Sequence, residues 1–472
     1  MADVYVFPIH DYPEDDTKRA FNPFIQANAD NPCGKITAVP DDDDDDDRKP
    51  NDPLIDGVCD YITDSDDYVD KDSLFEKLME TYIGTYAKTI NKDSSDTMDL
   101  CKKTLPELIE AVYQKRNTGD ISPLCPDEAE YILHLEHKDG VQYIVFGDLH
   151  GSFHAFVRSM KRLQIMGIIN EKLELQPNYV MIFLGDIVDR GNFGMEIMYV
   201  ILKLMHENWG RVFLNKGNHE EEVIQIDYGF RSELSKKCGN RDLFNQLHEK
   251  LYSRLPSSIL ITDPNRQNNN LYLSHGGFPI SNLGRRGATE EKTKETWNQI
   301  FKTKPTSACQ ICSKSSFERR FILDKSTTAI QCRWSDYLLK YEWAGYSLRG
   351  LGENGTIGRK LLEEFQKRLG LAANIRGHND NIRSALILKS GSGDSGRGDA
   401  HFDIAMKYSK QEERIGDIQY YDVSKAPGKL ASFPLKRKIT ADSECVGVVT
   451  ISSNNDLGRM GVPESFLIVR HL

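Results

Sequence analysis

Five short apolar runs, each leading straight into a loop that carries Asp, Asn or His, constrain this chain more than any other feature. Tyr143-Ile144-Val145-Phe146 leads into Gly147-Asp148-Leu149-His150-Gly151, and Tyr179 to Leu184 into Gly185-Asp186-Ile187-Val188-Asp189-Arg190-Gly191. Arg211 to Leu214 leads into Gly217-Asn218-His219-Glu220, Leu271-Tyr272-Leu273 into His275-Gly276-Gly277, and Ala372 to Ile375 into Arg376-Gly377-His378. Short β-branched and aromatic runs of this kind form buried strands. In open α/β sheets, ligand-binding groups gather beyond the carboxyl ends of strands, so the five loops are expected to converge on one site. A single Gly-Asp pair is usually a turn, and a lone His after a strand is usually a hydrogen-bonded core residue. The reading rests on the ordered series.

The residue types in these loops fit a two-metal hydrolase. Such a site needs a carboxylate between two ions, a bridging water acidic enough to be hydroxide at neutral pH, cationic clamps for phosphoryl oxygens and a proton donor for the leaving group. Asp148 and His150 are assigned to one metal, Asp186 to the position between the two, and Asn218, His275 and His378 to the second. Imidazole, carboxylate and amide together suit Mn, Fe or Zn better than Ca, and the loops contain no cysteine, which argues against structural zinc. His219, next to a ligand but pointing elsewhere, is cast as the acid. Asp189 holds its orientation, and the planar fork of Arg190 suits phosphate.

Charge is distributed unevenly. Residues 1–70 hold 20 of the 71 acidic and 5 of the 60 basic residues, including seven consecutive aspartates, Asp41 to Asp47, so the rest of the chain is near neutral. This opening stretch is expected to be a disordered acidic tail, and a docking arm for a basic protein partner is the sharper reading of it. Nothing in the remaining charge pattern calls for nucleic acid. No apolar run approaches the roughly 20 residues of a membrane helix, and Met1-Ala2-Asp3-Val4-Tyr5 lacks the character of a signal peptide. Nine scattered cysteines, without a framework, point to a reducing, cytoplasmic compartment. Cys309, Cys312 and Cys332 resemble most of a zinc knuckle but lack a fourth ligand, which favours free thiols.

Residues 71–125 are expected to form a helical extension. Leu74, Leu78, Tyr82 and Tyr86 make one apolar series, and Leu105, Leu108, Ile109 and Val112 make a second, behind Pro106. The catalytic domain is placed at 126–472, with a polar insertion at about 285–332. Helix-like stretches at Phe153 to Met166 and Met195 to Asn208 alternate with strands, which predicts βαβ units and a largely parallel sheet. Short β-like runs follow His378, including Ala385 to Leu388, Phe402 to Met406, Ile418 to Val423, Val446 to Ser452 and Phe466 to Val469, with a hairpin tip at Ser390 to Gly398.

With those residues in view, the chain resembles the phosphoprotein phosphatase (PPP) family of calcineurin-like metallophosphoesterases. The family signatures GDxHG, GDxVDRG and GNHE, a His-Gly-Gly and a late Arg-x-His match Gly147 to Gly151, Gly185 to Gly191, Gly217 to Glu220, His275 to Gly277 and Arg376 to His378. The resemblance implies an α/β (α+β) fold with a central β-sandwich of mixed sheets flanked by helices. It also implies two divalent ions and hydrolysis of phosphate monoesters on phosphoserine or phosphothreonine, with phosphotyrosine as an extension. It points to Arg349, downstream of Trp334-Ser335-Asp336, as a second phosphate-binding arginine, with Arg359 as the fallback, and to Asn218 as a further phosphate contact. The family's Ser-Ala-Pro-Asn-Tyr is replaced by Ser452-Ser453-Asn454-Asn455-Asp456, marking a divergent member. Two alternatives remain at this level: a phosphoesterase acting on dinucleoside polyphosphates or other small molecules, and a catalytically dead scaffold that binds phosphoproteins.

Overall fold

The computed structural model describes residues 100–118, 121–191, 193–239, 242–266 and 269–280, residues 291 and 295, and shorter segments from 318 to 471. The acidic tail, the 71–99 part of the extension, Cys309 and Cys312, Arg349, Ser390 to Gly398 and Phe402 to Met406 lie outside the described residues, as does the side chain of Arg359.

Two mixed sheets form the framework. One has the order β14-β13-β16-β2-β3-β4, built from β2 (Gln142–Phe146), β3 (Tyr179–Phe183), β4 (Val212–Leu214), β13 (Glu412–Asp422), β14 (Ala431–Lys438) and β16 (Ser465–His471). The other has the order β12-β15-β11-β6-β5-β1-β7, from β1 (Tyr131–Glu136), β5 (Ser258–Thr262), β6 (Asn270–Ser274), β7 (Glu318–Ile322), β11 (Leu371–Arg376), β12 (Leu386–Leu388) and β15 (Val448–Thr450). A small third sheet joins β8 (Asp336–Tyr337), β10 (Gly355–Ile357) and β9 (Ala344–Tyr346).

Alternation along the strands explains the layering. Ile144, Phe146, Met181, Phe183, Phe466 and Ile468 face one hydrophobic cluster, which they share with the helices. Their neighbours Tyr143, Val145, Ile182, Leu184, Leu467 and Val469 face a second cluster, shared with Ile132, Ile259 and Leu271 of the other sheet. The two sheets therefore pack face to face, and helices cover the outside.

Helices α1 (Leu105–Lys115), α2 (Phe153–Ile165) and α3 (Gly194–Glu207) lie on the first cluster. In α2 the buried residues Phe153, Phe156, Val157, Met160 and Leu163 follow helical spacing. Burial of each large apolar side chain contributes roughly 1.5–3 kcal/mol. Next come α4 (Glu222–Tyr228), α5 (Phe230–Cys238) and α6 (Asp242–Lys250), and later α7 (Thr328–Trp334) and α8 (Arg359–Leu369). Both αβ runs read from periodicity are present to within a residue or two, and Pro106 occupies the first turn of α1.

Three expectations need correction. The sheets are mixed, as the family resemblance implies, and not largely parallel as the βαβ rhythm suggests: β1/β7, β5/β6, β12/β15 and every pair from β14 to β2 are antiparallel. Short connections and C-terminal hairpin strands supply antiparallel partners that the βαβ rhythm does not reveal. The tail end of the stretch read as inserted forms β7, paired with β1. The cysteines also include a disulfide, Cys101–Cys238, with Cα atoms 5.2 Å apart; a separation of 137 residues gave no local signal. Cys332 is fully buried, with its Sγ 3.7 Å from the Tyr272 hydroxyl. Among the described residues, no helix is long and apolar enough to cross a membrane.

Candidate metal centre and acid dyad

Strand direction assembles the site. β2, β3 and β4 are parallel neighbours, so the loops carrying Asp148, Asp186 and Asn218 leave one edge together. β6 and β11 are also parallel neighbours, which brings His275 and His378 side by side.

The loops are laced by backbone bonds. Leu149 and His150 donate to the Asp186 carbonyl, each at 2.9 Å, and Gly377 donates to the His275 carbonyl at 3.0 Å. The N–H of His378 donates to both Asp148 carboxylate oxygens at 3.0 and 3.1 Å. Two glycines permit this approach: a Cβ on Gly377 would collide with the Asp148 carboxylate, and one on Gly217 with that of Asp186. Glu220 ties the third loop to the second, accepting N–H groups from Asp186, Ile187 and Gly217 at 2.8, 2.9 and 2.7 Å. Burial and the adjacent Asp186 charge push the Glu220 carboxyl up to about 7.

Among the described residues, six other than glycine hold positive φ, and five of them are site candidates: His150 (44°), Asp186 (54°), Asp189 (71°), Arg190 (65°) and His378 (67°). Such conformations cost of order 1 kcal/mol each and cluster where function requires a fixed geometry.

Asp186 Oδ2 is the centre of the cluster. It lies 3.1 Å from His275 Nε2, 3.6 Å from His150 Nε2 and 3.9 Å from His219 Nε2. Asn218 Oδ1 is 2.9 Å from both His275 Nε2 and His378 Nδ1, which are themselves 3.2 Å apart. An ion with ligand distances of about 2.0–2.2 Å sets neighbouring ligand atoms about 3 Å apart. A carboxylate, an amide oxygen and two imidazoles thus fit one divalent ion. The donors also match, since Asp186, His275 and His378 form one group of convergent ligand atoms and His150, Asp186 and His219 a second. His150 Nδ1 is 3.1 Å from the Val188 carbonyl, a bond that turns Nε2 inward as a ligand requires. Burial raises the Asp186 carboxyl, yet the His275, His219 and His150 charges outweigh it and hold it well below the usual range. For His275 burial acts downward, and Asp186 and Asp148 raise it.

Beside this cluster, His219 Nδ1 is 2.7 Å from Asp189 Oδ2, and both side chains are buried. Arg190, exposed at the rim, places NH2 3.4 Å from His219 Nε2. His150, Asn218, His275 and His378 therefore gather around Asp186, with the dyad and Arg190 against them, while Asp148 stands against the other ring nitrogen of His275, its Oδ1 3.7 Å from Nδ1.

Several contributors escaped the sequence reading. Half-exposed Tyr228 packs edge-on against His219, with ring centroids 5.0 Å apart. Ser453, within the segment that departs from the family pattern, accepts the Gly147 N–H at 2.9 Å and donates its own N–H to the Asp148 carbonyl at 3.0 Å. Only the motif's divergence marked Ser453, and nothing local marked Tyr228.

A family model described as calcineurin-like phosphoesterase matches residues 141–379. Serine/threonine-protein phosphatase T of Saccharomyces cerevisiae is 33% identical over 141 residues, covering 29% of this chain and 24% of that protein. The catalytic subunit of serine/threonine-protein phosphatase 4 from Kluyveromyces lactis is 29% identical over 181 residues, 37% of this chain and 52% of that one. The matches thus span between about a quarter and a half of these relatives. Among solved structures, a serine/threonine phosphatase from S. cerevisiae aligns with a TM-score of 0.40 at 21% identity, covering 63% of this chain and 74% of that chain. The family match covers half of the sequence and contains every assigned ligand: the chain belongs to the calcineurin-like phosphoesterase family.

Proposed function

We propose that the protein is a metal-dependent phosphoprotein phosphatase that hydrolyses phosphate monoesters, with phosphoserine and phosphothreonine as the substrate class. The observation that carries this reading is the convergence of Asn218, His275 and His378 on Asp186 with the His219–Asp189 dyad alongside. Asp148, His150 and Asp186 would hold one divalent ion, and Asp186, Asn218, His275 and His378 the other. When bound, such a pair supplies Lewis-acid stabilisation of phosphoryl oxygens and acidifies an attacking water.

The chain's own groups do the remainder. Asp189 holds the Nδ1–H of His219, which leaves Nε2 facing the cluster to deliver a proton to the departing oxygen. Arg190, beside that nitrogen, neutralises phosphoryl charge with a planar fork, and the Asn218 side-chain nitrogen is assigned to the same oxygens. Arg349 keeps its proposed place as a second phosphate clamp on sequence grounds. Tyr228, exposed beside the acid, offers an aromatic surface to the substrate's organic part.

The test is to strip the purified protein of metal, reload it with Mn, and compare phosphoserine, phosphothreonine and phosphotyrosine peptides with para-nitrophenyl phosphate and a dinucleoside polyphosphate. Metal-dependent release of phosphate from the peptides is expected. Cleavage of the dinucleotide alone, or no turnover with any substrate, would remove the reading.

A further inference from the structure

We infer that Arg333, which is buried, and Glu221 form a brace that positions both histidines of the second ligand group, an inference that rests on the metal assignment above. Arg333 stands in the last turn of α7 and is 4% exposed. Its guanidinium forks between two carboxylates from distant segments: Nε donates to Glu221 at 2.6 Å and NH1 to Glu130 at 2.8 Å. Glu130 also accepts from Lys216 at 3.1 Å and from Ser257 at 2.6 Å. Burial alone would favour the neutral guanidine, but the charges of Glu130 and Glu221 raise the Arg333 pKa instead. A planar fork with fixed donor directions locks α7 in both translation and rotation, which an ammonium cannot do.

Two consequences reach the site. The carbonyls of Cys332 and Gln331 accept the N–H groups of Gly276 and Gly277 at 2.6 and 3.1 Å, so the braced helix fixes the loop that carries His275. The indole N–H of Trp334 donates at 3.1 Å to the same Glu221 oxygen that Arg333 holds. The ring then meets His378 at 77°, with centroids 5.9 Å apart. Glu221 follows the Asn218-His219-Glu220 turn directly, so one ion pair links three of the five loops. None of these bonds runs directly to the first ligand group, Asp148 and His150; the brace reaches Asp148 only through the His378 N–H.

That asymmetry defines the experiment. Arg333→Lys keeps the charge but reaches only one carboxylate. Glu221→Gln is the milder variant, at a side chain 28% exposed. The full-length protein, freed of metal, is titrated with Mn, and the Trp334 environment is followed by fluorine NMR of fluorotryptophan-labelled protein, assigned with Trp334→Phe. Each variant is expected to weaken the second Mn equivalent by about 10-fold or more while sparing the first, as losses of outer supporting groups do. The Trp334 resonance is expected to shift or broaden, and the double variant to be no worse than the poorer single one. Equal weakening of both equivalents, additive losses, or an unmoved Trp334 resonance would overturn the brace. A wild-type protein that binds no second ion would instead sink the metal assignment, and the Trp334 signal would still judge the brace.

Discussion

His219 Nδ1 lies 2.7 Å from Asp189 Oδ2, and the other Asp189 oxygen accepts the Phe230 N–H at 2.8 Å where α5 begins. The acid candidate is therefore oriented by a carboxylate that is itself fixed by a helix. His219→Asn is expected to lower turnover of a phosphoserine peptide by about 100-fold or more, the usual contribution of a positioned proton donor. The loss should be smaller on para-nitrophenyl phosphate, because nitrophenolate departs without a proton. Steady-state kinetics on both substrates decide the matter: equal losses would take His219 out of the acid role.

Gly377→Ala should act on metal content before stability. The added Cβ would overlap the Asp148 carboxylate, which receives the His378 N–H from the adjoining peptide, so the ligand must move. Metal analysis after reconstitution is expected to show loss of bound ion relative to wild type. Gly140→Ala is the control. Gly140 has φ +79° and nothing within 4 Å of a Cβ, so that change adds backbone strain of about 1 kcal/mol far from the ligands. Full metal occupancy in Gly377→Ala would show that the close approach is dispensable.

The parts of this site legible in the sequence are those encoded locally. A strand ending in Gly-Asp or Gly-Asn-His shows both its apolar run and its turn chemistry within a few residues, so Asp148, Asp186, Asn218, His275 and His378 could be found as a series. The left-handed backbone at His150, Asp186, Asp189 and Arg190 could not, since none of them is glycine and the conformation is imposed by neighbouring loops. The same holds for the Ser453 hydroxyl on Gly147, 306 residues away. Arg333 and Glu221, 112 residues apart, read individually as ordinary surface charges, and only the packing of α7 brings them together. The mixed strand directions were legible only through the family resemblance, because a strand's own residues carry little information about its partner's polarity.

The Cys101–Cys238 bond joins the segment preceding α1 to the end of α5, across 137 residues. Closing so long a loop restricts the unfolded chain, and bonds of this kind contribute about 2–4 kcal/mol. Cys101→Ala and Cys238→Ala are each expected to lower denaturant stability by that order in oxidised protein and to have a much smaller effect when wild type and variant are both measured under reductant. Equal effects under the two conditions would mean that packing against Met195, whose sulfur lies 3.5 Å from each cysteine sulfur, matters more than the covalent link.

Acid sensitivity follows from Glu130. Burial raises its carboxyl, but Arg333 and Lys216 outweigh that and bring it from 4.5 to about 2. A carboxylate whose folded pKa is depressed stabilises the fold fully above its unfolded value. Its contribution is lost as pH falls through the folded one. The window is therefore about pH 4.5 down to about 2, and the interaction at stake is on the order of 3 kcal/mol. Glu130→Gln is expected to be destabilised near neutrality, where Arg333 and Lys216 lose their shared partner, and to show a shallower decline across that window. Denaturant unfolding of both proteins at a series of pH values provides the check. Parallel declines in the two would assign the acid sensitivity to other carboxylates and reduce Glu130 to a packing role.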